Sequence, residues 1–475
     1  MEGFFNAIMP VVIFLNSILW DYLLLFLLVG LGIYLTIVLK FPQKMMFPSL
    51  KKMVDDIKNK APVPEGAMSP FQSLSTAVAA QVGTGNVVGV ATAISAGGPG
   101  AAFWMLLSAF FGMASIFSEA ILAQVYRQKQ HGELVGGPAY YIKYGLKNNI
   151  LAIIFALVVI IALGIVGIMV QSNSVVNSLN DAFQLDATWI TVALIAAVGM
   201  ILVGGMDRIA GFTEKIVPVM AFSYIFGSIA IIFLNIENFL PSLKMIIVGA
   251  FTPQAISGGA LGIGVRETIR YGISRGLFSN EAGMGSTPHS HAVASVDHPV
   301  EQGMVAMIGV FISTFLICLS TVMVNLSSGA YDSTIPAEVM KEASVLLTQN
   351  SFAVNFGIWG ARFVSFALTL FSLTTIVGWY FFAESNVKLL SNGNKKITSA
   401  FKIVSLSAIA LAARLDPDTV WRLSDLFTGL MSLPNIIALF LLAKTTKSIL
   451  DDYNEKKKLG KLSFDYPYME KNKVR

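Results

Sequence analysis

Long apolar runs separated by short polar stretches dominate this chain. A helix needs about 20 apolar residues to cross the hydrocarbon core of a bilayer. Eleven stretches read as such spans, at 16–39, 71–96, 101–126, 150–173, 188–206, 215–235, 255–290, 302–326, 360–387, 398–413 and 426–443. In lipid every backbone N–H and C=O must find a partner within the protein, so runs of this kind form helices. The pattern predicts an all-α integral membrane protein with 11 transmembrane helices. The first apolar stretch, Ile18–Leu39, is too long for the core of a cleavable signal. No basic residue precedes it and no small-residue cleavage site follows, so it reads as a mature spanning helix.

Composition agrees. Of 475 residues, 55% are apolar and 13% charged, against about 25% charged in soluble domains. The net charge of +5 would suit nucleic acid were it gathered on one surface, but its distribution follows the spans. Loops 40–70, 127–147, 207–215, 388–402 and 444–475 hold 25 of the 33 lysines and arginines, and the loops on the opposite side hold 5. The positive-inside rule then puts the C-terminus in the cytoplasm of a plasma-membrane protein and the N-terminus outside, which requires an odd number of spans. The basic charge faces anionic lipid rather than nucleic acid.

Two spans are interrupted by glycine and polar residues. The second contains Gln81-Val82-Gly83-Thr84-Gly85-Asn86, and the seventh Gly276-Leu277-Phe278-Ser279-Asn280-Glu281-Ala282-Gly283. Each opens a block of five spans. Five is odd, so the second block runs inverted relative to the first. Inverted repeats that each begin with a broken helix are a common architecture of secondary transporters. The expected organisation is an extra helix and basic loop at 1–70, a first five-helix repeat at 71–236, a second, inverted repeat at 237–443, and a basic tail at 444–475. Glycine in membrane helices also serves simple close packing. A dinucleotide fingerprint is excluded, because Val88 stands where the third glycine belongs and glycine comes only at Gly89.

A helix unwound in mid-membrane frees peptide groups that substrate and ions can satisfy. The N-terminal end of the following half presents N–H groups and a partial positive charge, which suits a carboxylate. The C-terminal end of the preceding half presents carbonyls, which suit Na⁺ or an ammonium group. A zwitterionic amino acid matches both. Thr84 and Gly85 are the expected carboxylate binders through their backbone N–H groups, with the Asn86 amide beside them. Ser372, Thr374 and Thr375 in the ninth span offer hydroxyl oxygens for an alkali cation, although such residues often bond back to their own helix. Trp379 lies four residues after Thr375 on the same helical face.

Other polar residues refine the picture. Span 71–96 contains no Asp, Glu or His, which favours Na⁺ over H⁺ as the coupled ion, while Glu119 and Glu281 keep a proton route open. His289 and His291 read as a polar interface rather than a metal site. The single cysteine, Cys318, rules out an internal disulfide and reads as a small packing residue. No catalytic constellation and no resident cofactor are expected.

The chain resembles the alanine/glycine:cation symporters, also called the sodium:alanine symporter family. The residues that carry the likeness are Gly83-Thr84-Gly85-Asn86, Gly97-Gly98-Pro99-Gly100-Ala101-Ala102-Phe103-Trp104-Met105, Gln171-Ser172-Asn173-Ser174, and Gly276 through Gly285. One departure is Leu106, where the family's signature usually continues with tryptophan. The resemblance implies a leucine-transporter-like fold. It also implies a sodium site formed by the carbonyls of Ala79, Val82 and Phe371 with the hydroxyls of Thr374 and Thr375. Gln81, Gln171, Phe278 and Trp379 would line a pocket, with Thr375, and Ser279 of the Gly276–Gly285 motif, beside them. The expected function is sodium-coupled symport of a small neutral amino acid, alanine or glycine, into the cell. Proton coupling, a channel and a membrane-embedded enzyme are the alternatives.

Overall fold

The computed structural model describes residues 2–59, 63–130, 132–252, 264–332, 335 and 337–466. Apart from one short hairpin, the described chain is built of helices. Helix α1 runs from Glu2–Asn16 through a π-helical turn at Ser17–Leu23 into Leu24–Val38. It therefore begins well before the predicted start at residue 16. The amphipathic α2 (Met46–Asn59) follows.

Helix α3 (Pro70–Gln81) starts at a capping box. Ser69 Oγ accepts from Gln72 N–H and Gln72 Oε1 accepts from Ser69 N–H, both at 3.0 Å, with Pro70 at the first helical position. Replacing Ser69 with alanine should lower stability by about 1 kcal/mol, read as a reduced thermal midpoint of the detergent-solubilised protein. Helix α4 (Val90–Gly97) continues beyond a π turn at Gly85–Gly89. The two halves meet at 53°.

Next come α5 (Ala101–Val125), the hairpin β1 (Gln128–Gln130) and β2 (Glu133–Val135), and α6, formed by Asn149–Ile161 and Ile168–Phe183 around a π turn. Helices α7 (Ala187–Leu202), α8 (Gly205–Leu234) and α9 (Phe239–Gly249) follow. After them come α10 (Val265–Asn280), the short α11 (Pro288–Ala292), and α12, which comprises Pro299–Val310 and Leu319–Ser327 around a π turn at Phe311–Cys318. Last are α13 (Ala337–Phe356), α14 (Ile358–Leu390), α15 (Lys395–Ala412) and α16 (Pro417–Lys458).

Among the described residues, seven helices are long and apolar enough to cross a membrane, or eight if the bent pair α3–α4 is one span. This is a multi-pass membrane protein. The other three of the eleven expected spans fall on helices that miss that measure. α7 has 16 residues, α10 carries Arg266, Glu267, Arg270 and Arg275, and α15 begins with Lys395 and Lys396 and includes Lys402. Residues 253–263 of the predicted seventh span lie outside the described residues.

Boundaries also differ from those expected. α8 starts at Gly205, so Asp207, Arg208, Glu214 and Lys215 are helical rather than part of a loop 207–215. The chain turns between α7 and α8 at Gly205, where φ is +65°. α16 runs far past the predicted 426–443, because its polar second half remains helical to Lys458.

Helix α8 shows what the outer surface meets. Phe222, Phe226 and Phe233 are 72%, 76% and 70% exposed along one face. An apolar stripe of that kind requires a lipid or protein neighbour. Inside, α3 packs against α8 and α14, and α5 against α10 and α12. The basic segments gather at one end. Lys388 Nζ pairs with Glu133 at 2.8 Å, Lys52 pairs with Glu301, and Met68 N–H bonds Val293 O at 2.9 Å. At the opposite end, Asn16 Nδ2 and Trp20 Nε1 in α1 donate to the carbonyls of Arg422 and Asp425 in α16 at 2.8 and 2.9 Å.

Candidate functional site

The first break lies where α3 gives way at Val82, whose φ and ψ of −111° and 86° leave the helical region. Gly83 is required here by space. A Cβ at this position would sit 2.6 Å from Thr375 Oγ1 and 2.9 Å from Gln171 Oε1. The freed peptide groups have protein partners. Gly83 N–H donates to Asn86 Oδ1 at 3.0 Å, and Thr84 N–H to Gln171 Oε1 at 3.1 Å. The Thr84 N–H expected to face a carboxylate is thus taken up by a side-chain amide in this conformation.

On the carbonyl side, Thr375 Oγ1 lies 2.8 Å from Ala79 O, 3.2 Å from Val82 O and 2.9 Å from Phe371 O. A hydroxyl has one proton to donate. Three carbonyl oxygens around it make a locus rich in hard acceptors, which is the donor set an alkali cation takes. Thr374 Oγ1 is within 2.9 Å of the same Phe371 carbonyl and faces Met220 Sδ at 3.5 Å. Four of the five expected sodium ligands therefore meet at Thr375, and Thr374 reaches them through Phe371. Ser372 Oγ and Thr84 Oγ1 are buried with no hydrogen-bond partner among the described residues.

The second break begins where α10 stops at Asn280. Glu281 adopts a left-handed φ of +57°, and Gly283 and Gly285 follow at +80° and +88° before α11 starts at Pro288. Positive φ at three of five residues cannot continue a helix. Its peptide groups are also held by side chains. Gly283 N–H donates to Glu119 Oε2 at 3.0 Å, Asn435 Nδ2 donates to Gly283 O at 2.9 Å and to Glu119 Oε1 at 2.5 Å, and Ala282 N–H donates to Asn280 Oδ1 at 3.0 Å. Tyr141 donates its hydroxyl to Asn435 Oδ1. Glu281 accepts from Trp379 Nε1 at 2.6 Å and from Ser286.

The two breaks touch. Gln81 Nε2 reaches Asn280 O at 2.7 Å, and Asn86 Nδ2 reaches Ser279 Oγ at 2.8 Å. A Cβ on Gly85 would lie 3.0 Å from Phe278 Cδ1. Phe278 meets Trp379 edge-on with centroids 6.4 Å apart, and Trp379 in turn packs on Gly167. All nine residues expected to bind substrate (Gln81, Thr84, Gly85, Asn86, Gln171, Phe278, Ser279, Thr375 and Trp379) thus join one connected neighbourhood.

Sequence reasoning left several members out. Cys318, expected only to pack, sits 3.1 Å from Ser279 Oγ and 3.3 Å from Asn86 Nδ2. Asn280 and Glu119 act on the broken backbone itself. Glu119 is marked in the sequence as a carboxylate inside an apolar span, without its partners; nothing in the sequence marks Cys318 as different from any packing residue. His289 and His291 are buried beside Asn386 and Gln302, at 2.8 and 2.7 Å. No group of three or more potential metal-ligating His, Cys, Asp or Glu side chains occurs among the described residues.

A cavity of about 990 Å³ opens at the end where α1 meets α16. It reaches Val88 and Gly89 just past the first break. The Arg275–Asp425 ion pair, doubly bonded at 3.0 and 3.1 Å, lines it together with Trp421. Phe278 packs on Trp421 with centroids 5.3 Å apart, between this cavity and the join of the two breaks.

Comparison with known proteins follows the same lines. The model of the Sodium:alanine symporter family matches residues 5–466. The probable sodium/glutamine symporter GlnT of Bacillus subtilis is 40% identical over 96% of this chain and 93% of its own length. The putative sodium/proton-dependent alanine carrier protein YrbD of the same organism is 38% identical, over 94% and 92%. The sodium/alanine symporter AgcS of Methanococcus maripaludis is 36% identical, over 93% and 96%.

Proposed function

The chain belongs to the sodium:alanine symporter family, a family of cation-coupled amino-acid transporters rather than enzymes, and from that premise we propose that it carries alanine or glycine into the cell together with Na⁺. The observation that carries this reading is the Thr375 hydroxyl surrounded by the carbonyls of Ala79, Val82 and Phe371. Na⁺ binds there, joining the first broken segment to α14, with Thr374 as a further oxygen ligand. The amino acid binds beside it, where the breaks meet. Its carboxylate faces the peptide N–H groups of Thr84 and Gly85, which requires Gln171 to release Thr84. Asn86 and Ser279 hold its polar end, and Gln81, Gln171, Phe278 and Trp379 wall its side chain.

The walls argue for a small substrate. A Cβ on Gly83, Gly85 or Gly167 would press within 3.0 Å of Thr375, Phe278 or Trp379, so little room is left beside the broken backbone. One relative is named as a probable sodium/glutamine symporter, a larger substrate than the one proposed here. In the proposed frame the chain crosses the membrane eleven times. Segments 71–236 and 237–443 are inverted repeats behind an extra helix at 1–70, the basic tail 444–475 is cytoplasmic, and the N-terminus is outside. Transport proceeds by alternating access as one bundle rocks against the other around the central site. The cavity beside Arg275–Asp425 is the outer vestibule.

A second reading, proton coupling, is favoured by Glu119 and Glu281, buried carboxylates whose bonded partners are neutral donors. One experiment separates the two. The purified protein in liposomes should accumulate labelled alanine and glycine under an inward Na⁺ gradient and lose accumulation when K⁺ or choline replaces Na⁺. Accumulation driven equally by a pH gradient without Na⁺ would overturn sodium coupling. Unsaturable flux would point to a channel.

A further inference from the structure

Helix α16 runs on past its apolar stretch and ends in Lys456-Lys457-Lys458. Gly460, at φ +68°, then reverses the chain. Gly460 N–H bonds Lys457 O at 3.2 Å and Lys461 N–H bonds Lys456 O at 3.1 Å. Lys456 Nζ ties the returning strand through Ser463 O at 2.9 Å. Residues 459–466 are thereby folded back beneath the helices, with Leu462 and Phe464 packed on the core.

What this segment touches is specific. The Tyr466 ring lies under the Arg127 guanidinium, 4.1 Å from its centroid, and the Tyr466 hydroxyl reaches Gln124 Oε1 at 3.3 Å and Val296 O at 3.2 Å. Arg127 and Gln124 are the residues that bind the carbonyls ending α11. Gln124 Nε2 donates to His291 O at 2.5 Å and Ala294 O at 2.9 Å, and Arg127 Nη1 donates to Ala294 O at 2.6 Å. Directly beside them the first broken segment is joined to the second, by Met68 N–H to Val293 O at 2.9 Å and Ser295 N–H to Met68 O at 2.8 Å.

Phe464 meets the His298 ring edge-on at 5.1 Å. Burial holds His298 below the usual imidazole range, and its Nε2 lies 3.0 Å from Asp452 of α16.

We infer that residues 459–466 form a cytoplasmic strap that holds the inner ends of both broken helices together and so sets how readily the carrier opens inward. The strap rests on the transport reading above, because only a carrier that alternates needs this end to part. The large cavity lies at the other end, and the strap seals the joint that inward opening has to separate. Aromatic and cation–π contacts of this kind are individually weak, so the strap slows opening rather than forbidding it.

Opening is read directly by thiol labelling of the full-length protein. In a Cys318→Ser background, Ser290→Cys places one thiol in α11, buried at the joint. Inside-out vesicles are exposed to a membrane-impermeant maleimide. Removing the anchor side chains (Tyr466→Ala with Phe464→Ala) should raise the labelling rate roughly two- to tenfold, and Tyr466→Phe should stay near the parent because it keeps the ring on Arg127. An unchanged rate in a doubly substituted protein that still elutes as a folded species overturns the strap. Should that protein misfold, truncation after residue 458 decides. Fast labelling slowed again by an added peptide of residues 459–475 supports the strap, and labelling indifferent to the peptide refutes it. The transport reading is tested separately, by uptake into liposomes of the unsubstituted protein: failure there sinks that reading, whereas labelling indifferent to the anchor substitutions sinks the strap alone.

Discussion

Thr375→Val removes sodium-stimulated uptake while leaving a folded protein. Valine has nearly the shape of threonine, so the side chain still fills its place in α14, but the oxygen facing Ala79, Val82 and Phe371 is gone. Hydrogen bonds or ligand contacts to a charged group contribute about 1.5–3 kcal/mol each, which corresponds to an apparent Na⁺ affinity weakened roughly 10- to 100-fold. At ordinary sodium concentrations the carrier then turns over little. The check is the Na⁺ concentration dependence of alanine uptake in liposomes, with Thr375→Ser as the control that restores an oxygen. Equal Na⁺ dependence in the valine and serine variants would remove Thr375 from the cation site.

The second large effect is at Gly85. Valine here drives a branched side chain toward the Phe278 ring, which a single Cβ already approaches to 3.0 Å. Overpacking of this size costs about 1–3 kcal/mol, which a folded membrane protein tolerates, but in the proposed site the lost space is the space the substrate needs. Uptake should fall below detection, with unchanged elution on size-exclusion chromatography. Gly85→Ala should be intermediate, because the ring edge can yield by a few tenths of an ångström. Alanine uptake at the parent rate in the valine variant would move the substrate away from the join of the two breaks. Comparing the two sites is informative, since the threonine change acts through the ion and the glycine change through the amino acid.

Particular residues show what could be read before any fold was known. Gly83, Gly85, Gly283 and Gly285 break runs that are otherwise apolar, and helices do break at both places. Thr375 stood out as one of three hydroxyls in a single span. That it lies against the first break, 2.8 Å from Ala79 O, is a contact across almost 300 positions of sequence and leaves no local trace. Spans were legible wherever a run was long and uncharged. They were misjudged at α8 and α16, where charged turns remain helical because neighbours or the aqueous end of a long helix accommodate them. The unwound peptide groups were expected to stand bare for a guest. Asn86, Gln171, Glu119 and Asn435 take several of them instead, since a buried peptide group is too costly to leave unpaired between visits.

The sequence by itself determined that this chain lives in a membrane, where its helices break, and which family it joins, because apolar run length and clustered glycine act locally and need no partner to be read. Only the tertiary structure decided which groups meet: the carbonyls of one segment around a hydroxyl of another, two buried acids holding a broken helix, and a tail folded back onto the joint. Those choices depend on distances between residues far apart in the chain, and distance is set by packing, which no single stretch of sequence encodes.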